Sequence, residues 1–194
     1  MKASPNESIK LGFKKVLLPV LIILTVVVIA LTILKHSVTT PGVEIPRSAE
    51  VKVGSILPIF SLTSSPGGLA VPISEVPAQV ILLTFWATWC DACMEEMPSL
   101  VRLRNQFHSA GFEVVGVNLD ENPDGAIEKT KVKYKIEFPL FKDLDGKVAE
   151  LFDVHAIPSN VVFDKNRKVL FLKEGGQDWF SKETTELVQR WLAR

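Results

Sequence analysis

The 194-residue sequence predicts an α/β domain, a parallel sheet carrying an antiparallel hairpin with helices on both faces, behind one apolar N-terminal segment. Three observations predict it. Residues 80–86 (VILLTFW) and 112–119 (FEVVGVNL) are continuous apolar runs of strand length, as strands covered on both faces require. Between them 91–109 suits a helix, with Met94, Met97, Leu100 or Leu103, and Val101 supplying an apolar face, which makes one strand-helix-strand unit and so a parallel pair. Downstream, 160–164 (NVVFD) and 168–172 (KVLFL) flank the turn KNR and read as an antiparallel hairpin.

The remaining elements follow in order. Pro98 falls inside the first predicted helix and is expected to kink it. After the turn signal Asn122-Pro-Asp-Gly, 126–134 reads as a polar helix and 146–152 as a short one. A last helix over 181–191 puts Leu187, Val188, Trp191 and Leu192 on one stripe and closes the domain. The stretch GGLAVPISEV near the domain start has the look of a hairpin but carries no functional signal.

Residues 16–34 (VLLPVLIILTVVVIALTIL) hold nineteen residues without a charge. At 1.5 Å per residue the run reaches roughly 30 Å, the thickness of a bilayer's hydrocarbon core. A cleaved signal peptide has a shorter apolar core and a small-residue cleavage site, and the run ends instead in LTILKHSV, so an uncleaved anchor is the preferred reading. Lys2, Lys10, Lys14 and Lys15 precede it while Lys35 alone follows closely, so 1–15 is expected in the cytoplasm and everything past Leu34 on the other side of the cytoplasmic membrane. Residues 35–50 (KHSVTTPGVEIPRSAE) read as a linker and 51–194 as the domain. Twenty-two basic and twenty-two acidic side chains leave no net charge, and with it no case for a nucleic-acid partner.

The chemistry concentrates in FWATWCDACM, which holds the only two cysteines, Cys90 and Cys93. A disulfide closing so small a loop restrains the unfolded chain weakly, so a structural staple explains the pair poorly. Cys90 falls where the first strand gives way to the helix, and helix N–H groups and the helix dipole favour a thiolate there. Cys93, almost one turn on, is placed to close a disulfide with it, as an exposed nucleophile and a more buried resolving thiol. Half of a zinc site is the competing reading, but the available histidines, His36, His108 and His155, are scattered, so no metal is expected. Trp89 is expected at the surface beside the site and Trp86 in the core. A lone His155, three residues before Pro158, is more readily incidental than a rim of the site.

FWATWC before the pair, EMP after it, AIPSNVVFD and GGQDW occur in the order found in the TlpA/ResA-like membrane-anchored thiol-disulfide oxidoreductases, and residues 51–194 resemble that thioredoxin-like family of redoxin (AhpC/TSA) type. The resemblance implies a thioredoxin-like fold with a central mixed sheet, no cofactor, disulfide-containing protein substrates, apocytochrome c among them, and a membrane thiol carrier as electron donor. It implies a cis Ile157-Pro158 bond facing the disulfide, with Ile157, Pro158 and Ser159 forming the substrate edge; a proline there offers no N–H, while Ile157 can pair with an extended chain. Trp89, flanking the site, reads as a docking surface for substrate or equally as packing. It places Glu96 close to Cys93 as a proton relay; a first-turn glutamate held by the helix dipole is the alternative. Glu95 has no counterpart and is expected in solvent, and Asp178-Trp179 matches a family feature taken as structural. Two departures stand out. Asp91-Ala92 replaces a dipeptide that commonly ends in proline, and Thr84 stands where thioredoxin has a buried aspartate. The acids Asp91, Glu95 and Glu96 oppose the helix dipole, so the Cys90 pKa is expected nearer about 7 than about 3.5, which favours a reductant. A peroxidase of peroxiredoxin type and a non-catalytic module that binds thiol proteins remain the alternatives. The first is weakened by the absence of a lone peroxidatic cysteine motif.

Overall fold

The computed structural model describes residues 23–29 and 51–194. The stretch 23–29 is helical; the rest of the expected span 16–34, and the linker 35–50, lie outside the described residues. Among those described, no helix is long and apolar enough to cross a membrane.

The domain contains β1 (Ser61–Ser64), β2 (Ala70–Pro72), β3 (Val80–Trp86), α1 (Asp91–Phe107), β4 (Phe112–Asn118), α2 (Pro123–Tyr134), β5 (Leu140–Lys142), α3 (Lys147–Leu151), β6 (Ser159–Asp164), β7 (Val169–Glu174) and α4 (Lys182–Leu192). One seven-stranded sheet runs β2-β1-β5-β4-β3-β6-β7. Its middle, β5-β4-β3, is parallel, and both flanks are antiparallel. This is the mixed thioredoxin-like sheet that the motifs imply. β3 and β4 are buried along their whole length, which is why their sequences are apolar without alternation.

The two parallel steps, β3 to β4 and β4 to β5, cross over through α1 and α2. These two helices and α4 pack on one face of the sheet around Met97, Leu100, Leu103, Ile127, Val188 and Trp191. On the other face the segment Leu57–Phe60 and α3 cover Phe85, Phe163 and Val115, with Phe152 against Phe60 and Phe85. Helices on both faces are thus as expected.

Several boundaries differ from the sequence reading for physical reasons. α2 begins at Pro123, three residues earlier, because proline at the first helical position has no N–H to leave unpaired. α1 runs on through Pro98 as one helix and ends at Phe107, where a 3-10 turn at His108–Ala110 leads into Gly111 at φ 95°. Strands β1 and β5 were not expected; each has only three or four residues, too few to show a period. β1 and β2 form the hairpin in which GGLAVPISEV lies.

Candidate active site

Cys90 is the N-cap of α1, its backbone extended at φ −92° and ψ 101°, and its Sγ accepts the N–H of Cys93 at 3.1 Å. The sulfurs of Cys90 and Cys93 are joined, with Cα atoms 5.2 Å apart. Cys93 is fully buried. Cys90 is only 8 % exposed, so the expectation of an exposed nucleophile is corrected: in the closed disulfide it is the less buried sulfur but not an open one. A neighbouring loop approaches the residue between the cysteines: a Cβ on Gly176 would sit 3.4 Å from the Ala92 carbonyl oxygen.

The loop leading into Cys90 is held from β4's end. Asp120, itself buried, accepts the Thr88 N–H at 3.1 Å and the Asn118 Nδ2 at 3.0 Å, while its own N–H donates to Asn118 Oδ1. Neither residue was singled out in the sequence. The available signal was a polar NLD at the carboxyl end of a parallel strand, where α/β sheets place their sites.

Further along α1 lies a buried polar cluster. Glu96, on α1 three residues past Cys93, is 3 % exposed. Its Oε1 accepts from Thr84 Oγ1 at 3.4 Å and its Oε2 from the Trp179 indole N–H at 3.3 Å. Ser99 Oγ donates to the Glu96 carbonyl at 2.7 Å and accepts the Trp179 backbone N–H at 3.0 Å, tying that loop to α1. Burial pushes the Glu96 carboxyl up from 4.5 to about 7, against the lowering effect of Trp179, the Gln177 N–H, Asn160 and Thr84. Asn160 is directly opposite Thr84 in the β3-β6 register, near enough to favour the charged carboxylate, but its amide makes no hydrogen bond. The Asp178-Trp179 pair is therefore more than packing: Trp179 is a hydrogen-bond donor to the acid that follows the cysteines on α1.

Glu96 is not sealed. A groove of about 420 Å³, lined by Ala92, Glu96, Ser99, Arg102, Gln177 and Asp178, opens onto it and gives protons a route to solvent.

The remaining expected residues fall as follows. Trp89 is 70 % exposed and Trp86 wholly buried. Ile157-Pro158 is cis, as is Ser65-Pro66, which was not expected. Ser159 pairs with Phe85 at the end of β3 that leads to Cys90, and Pro158's carbonyl accepts the Gly175 N–H at 2.8 Å. The backbone N–H and carbonyl of Ile157 make no hydrogen bond among the described residues. Glu95 is exposed, as expected. His155 is exposed and pairs with Asp153 at 3.1 Å; no contact ties it to the disulfide. Among the described residues no group of three or more His, Cys, Asp or Glu is arranged to hold a metal ion.

A redox-closed CxxC at a helix N-terminus, on a thioredoxin-like sheet and with a carboxyl on the same helix that titrates near neutrality, defines a thiol-disulfide oxidoreductase. The chain belongs to the AhpC/TSA family, whose profile matches residues 53–171, and within it to the ResA-like proteins. It is 30 % identical over 125 residues to the thiol-disulfide oxidoreductase ResA of Bacillus subtilis strain 168, covering 64 % of this chain and 69 % of that one. Against ResA of Geobacillus kaustophilus it is 33 % identical over 119 residues, 61 % of this chain and 67 % of the relative. Among solved structures, one assigned as the thiol:disulfide interchange protein DsbE of Chlorobium tepidum superposes with a TM-score of 0.66 at 28 % identity, covering 74 % of this chain and 99 % of that one. StoA of Bacillus subtilis shares the fold, with a TM-score of 0.54 at 21 % identity over 70 % of this chain and 97 % of StoA.

Proposed function

We propose that this enzyme works as a disulfide reductase on the outer side of the cytoplasmic membrane, held there by 16–34 as a single-pass anchor with 1–15 in the cytoplasm. The observation that supports the exchange chemistry is the buried Glu96, three residues past Cys93 on α1, with a carboxyl that titrates at about 7 and so takes up and returns a proton at neutral pH; the reducing direction rests on the acids Asp91, Glu95 and Glu96 near Cys90, which oppose the helix dipole.

In the reduced enzyme the Cys90 thiolate attacks one sulfur of a substrate disulfide and expels the other as a thiolate, leaving a mixed disulfide on Cys90. Cys93 then gives its proton to Glu96 and attacks Cys90 Sγ, which breaks the mixed disulfide, closes Cys90–Cys93 and expels the second substrate sulfur as a thiolate, both substrate thiolates taking their protons from solvent. Two electrons pass to the substrate, and the Glu96 proton leaves through the groove. Trp89 and the free backbone groups of Ile157, beside Pro158 and Ser159, receive the substrate chain as an added strand. Because the compartment is oxidising, the closed disulfide must be reopened by electrons from a thiol carrier in the membrane. The CxxCH pair of apocytochrome c, which must be reduced before haem attachment, is the substrate this reading favours.

An oxidised peptide carrying a CxxCH disulfide tests it. Mixed with the reduced enzyme at neutral pH, the peptide should gain two thiols for each Cys90–Cys93 disulfide formed. Oxidation of the reduced peptide by the disulfide form, with no transfer in the other direction, would overturn the reducing assignment.

A further inference from the structure

The end of the domain opposite the disulfide carries an apolar and cationic surface that the redox chemistry does not use. The β6-β7 turn, Lys165 to Lys168, lies beside the start of β3, because Val80 pairs with Asp164 and the Lys165 N–H donates to the Gln79 carbonyl. The first described segment of the domain runs to the same end: Gly54 N–H donates to Val169, Leu57 N–H to Arg167, and Ile56 bridges Lys168. There Val53 is 62 %, Ile56 60 % and Ile59 73 % exposed, three branched aliphatic side chains within seven residues. A shallow groove of about 140 Å³ lined by Ile59, Ile73, Val76, Ala78, Lys165 and Arg167 continues the apolar surface.

The charge around it has one sign to spare. Lys52, Lys165 and Lys168 are exposed and form no ion pair among the described residues. Asp164 turns its carboxylate to the N–H groups of Asn166 and Lys168, which leaves Glu75 as the exposed acid close by.

We propose that this end of the domain rests on an anionic phospholipid surface, with Val53, Ile56 and Ile59 at the level of the headgroups and acyl-chain boundary and Lys52, Lys165 and Lys168 against lipid phosphates. The proposal rests on the anchor reading of 16–34. Only sixteen residues, 35–50, separate the anchor from the domain, and even fully extended they span at most roughly 55 Å, so the domain meets the lipid at high effective concentration and a weak surface suffices. Aliphatic side chains flanked by lysines are the composition that binds such a surface. The seven residues of β3 then hold the disulfide roughly 20 Å further out, facing the aqueous compartment.

The test uses the full chain in vesicles of equal parts phosphatidylcholine and phosphatidylglycerol, with an Ile59→Trp variant and, as a second reporter, Ile56→Trp. Unchanged thiol-disulfide exchange at Cys90–Cys93 certifies the fold. The emission added by the new tryptophan should fall at least about twofold when the acyl chains are brominated, while the emission shared with the unsubstituted chain falls much less. Vesicle-bound protein whose added emission is not quenched overturns the surface and leaves the anchor standing. A blue shift without quenching overturns it in favour of a protein partner or a second copy. Protein that does not float with the vesicles overturns anchor and surface together.

Discussion

A Cys93→Ser variant is expected to lose turnover by on the order of 10³-fold or more while accumulating substrate covalently on Cys90. The reason is the division of labour between the two sulfurs. Cys90 alone can form the mixed disulfide, but only the thiol of Cys93, one turn away and buried, can break it. Serine nearly fills the space of Cys93, and the lost disulfide closes too small a loop to matter much to stability, so the variant should fold. Non-reducing gels after incubation with a disulfide substrate read the outcome directly. Adducts on Cys93→Ser, none on Cys90→Ser, and turnover for neither is the expected pattern. Partner retention without covalent capture would favour the binding-module alternative.

Glu96→Gln is expected to raise the stability of the oxidised protein at pH 8 and to slow the resolving step. Folding lifts the carboxyl from 4.5 to about 7, so between those values the folded state binds more protons than the unfolded one. Stability must therefore fall as pH rises through that window, and above it the buried carboxylate carries a penalty on the order of 3 kcal/mol that a glutamine does not. Chemical denaturation at pH 5 and pH 8 should show the two proteins close together at the lower pH and the variant ahead at the higher. The same substitution removes the proton acceptor of Cys93, so resolution should slow roughly 10- to 100-fold and lose its inflection near neutrality. A Trp179→Phe variant deletes a hydrogen bond that favours the carboxylate and should move that inflection upward instead. Equal pH profiles for all three proteins would reduce Glu96 to a packing residue.

The parts of this molecule that were legible in the sequence are those whose cause is local. VILLTFW and FEVVGVN have no polar side because both faces of their strands are covered, and the cysteines sit at the junction where strand becomes helix. Glu96 was placed near Cys93 by helical spacing and by the family resemblance, and Thr84 by its strand. What the sequence hid is what distant segments supply. The indole of Trp179 comes from a loop 83 positions away and, with the Gln177 N–H of the same loop, holds the Glu96 carboxyl below where its burial alone would put it. Asp120 holds the Thr88 N–H from across the β3-β4 pair, a contact that spacing alone does not announce. The short β1 and β5 were missed because a strand of three or four residues has no readable period, and pairing alone makes it a strand.

The most direct test of the account is the reduction potential of the Cys90–Cys93 couple, measured at neutral pH by equilibration against dithiothreitol and glutathione buffers. A reductant with acids around Cys90 and no strong stabilisation of its thiolate should lie near thioredoxin's value of about −270 mV. A value near about −120 mV would mean a strongly stabilised reduced form, and would contradict the assignment by making the enzyme an oxidant of secreted proteins.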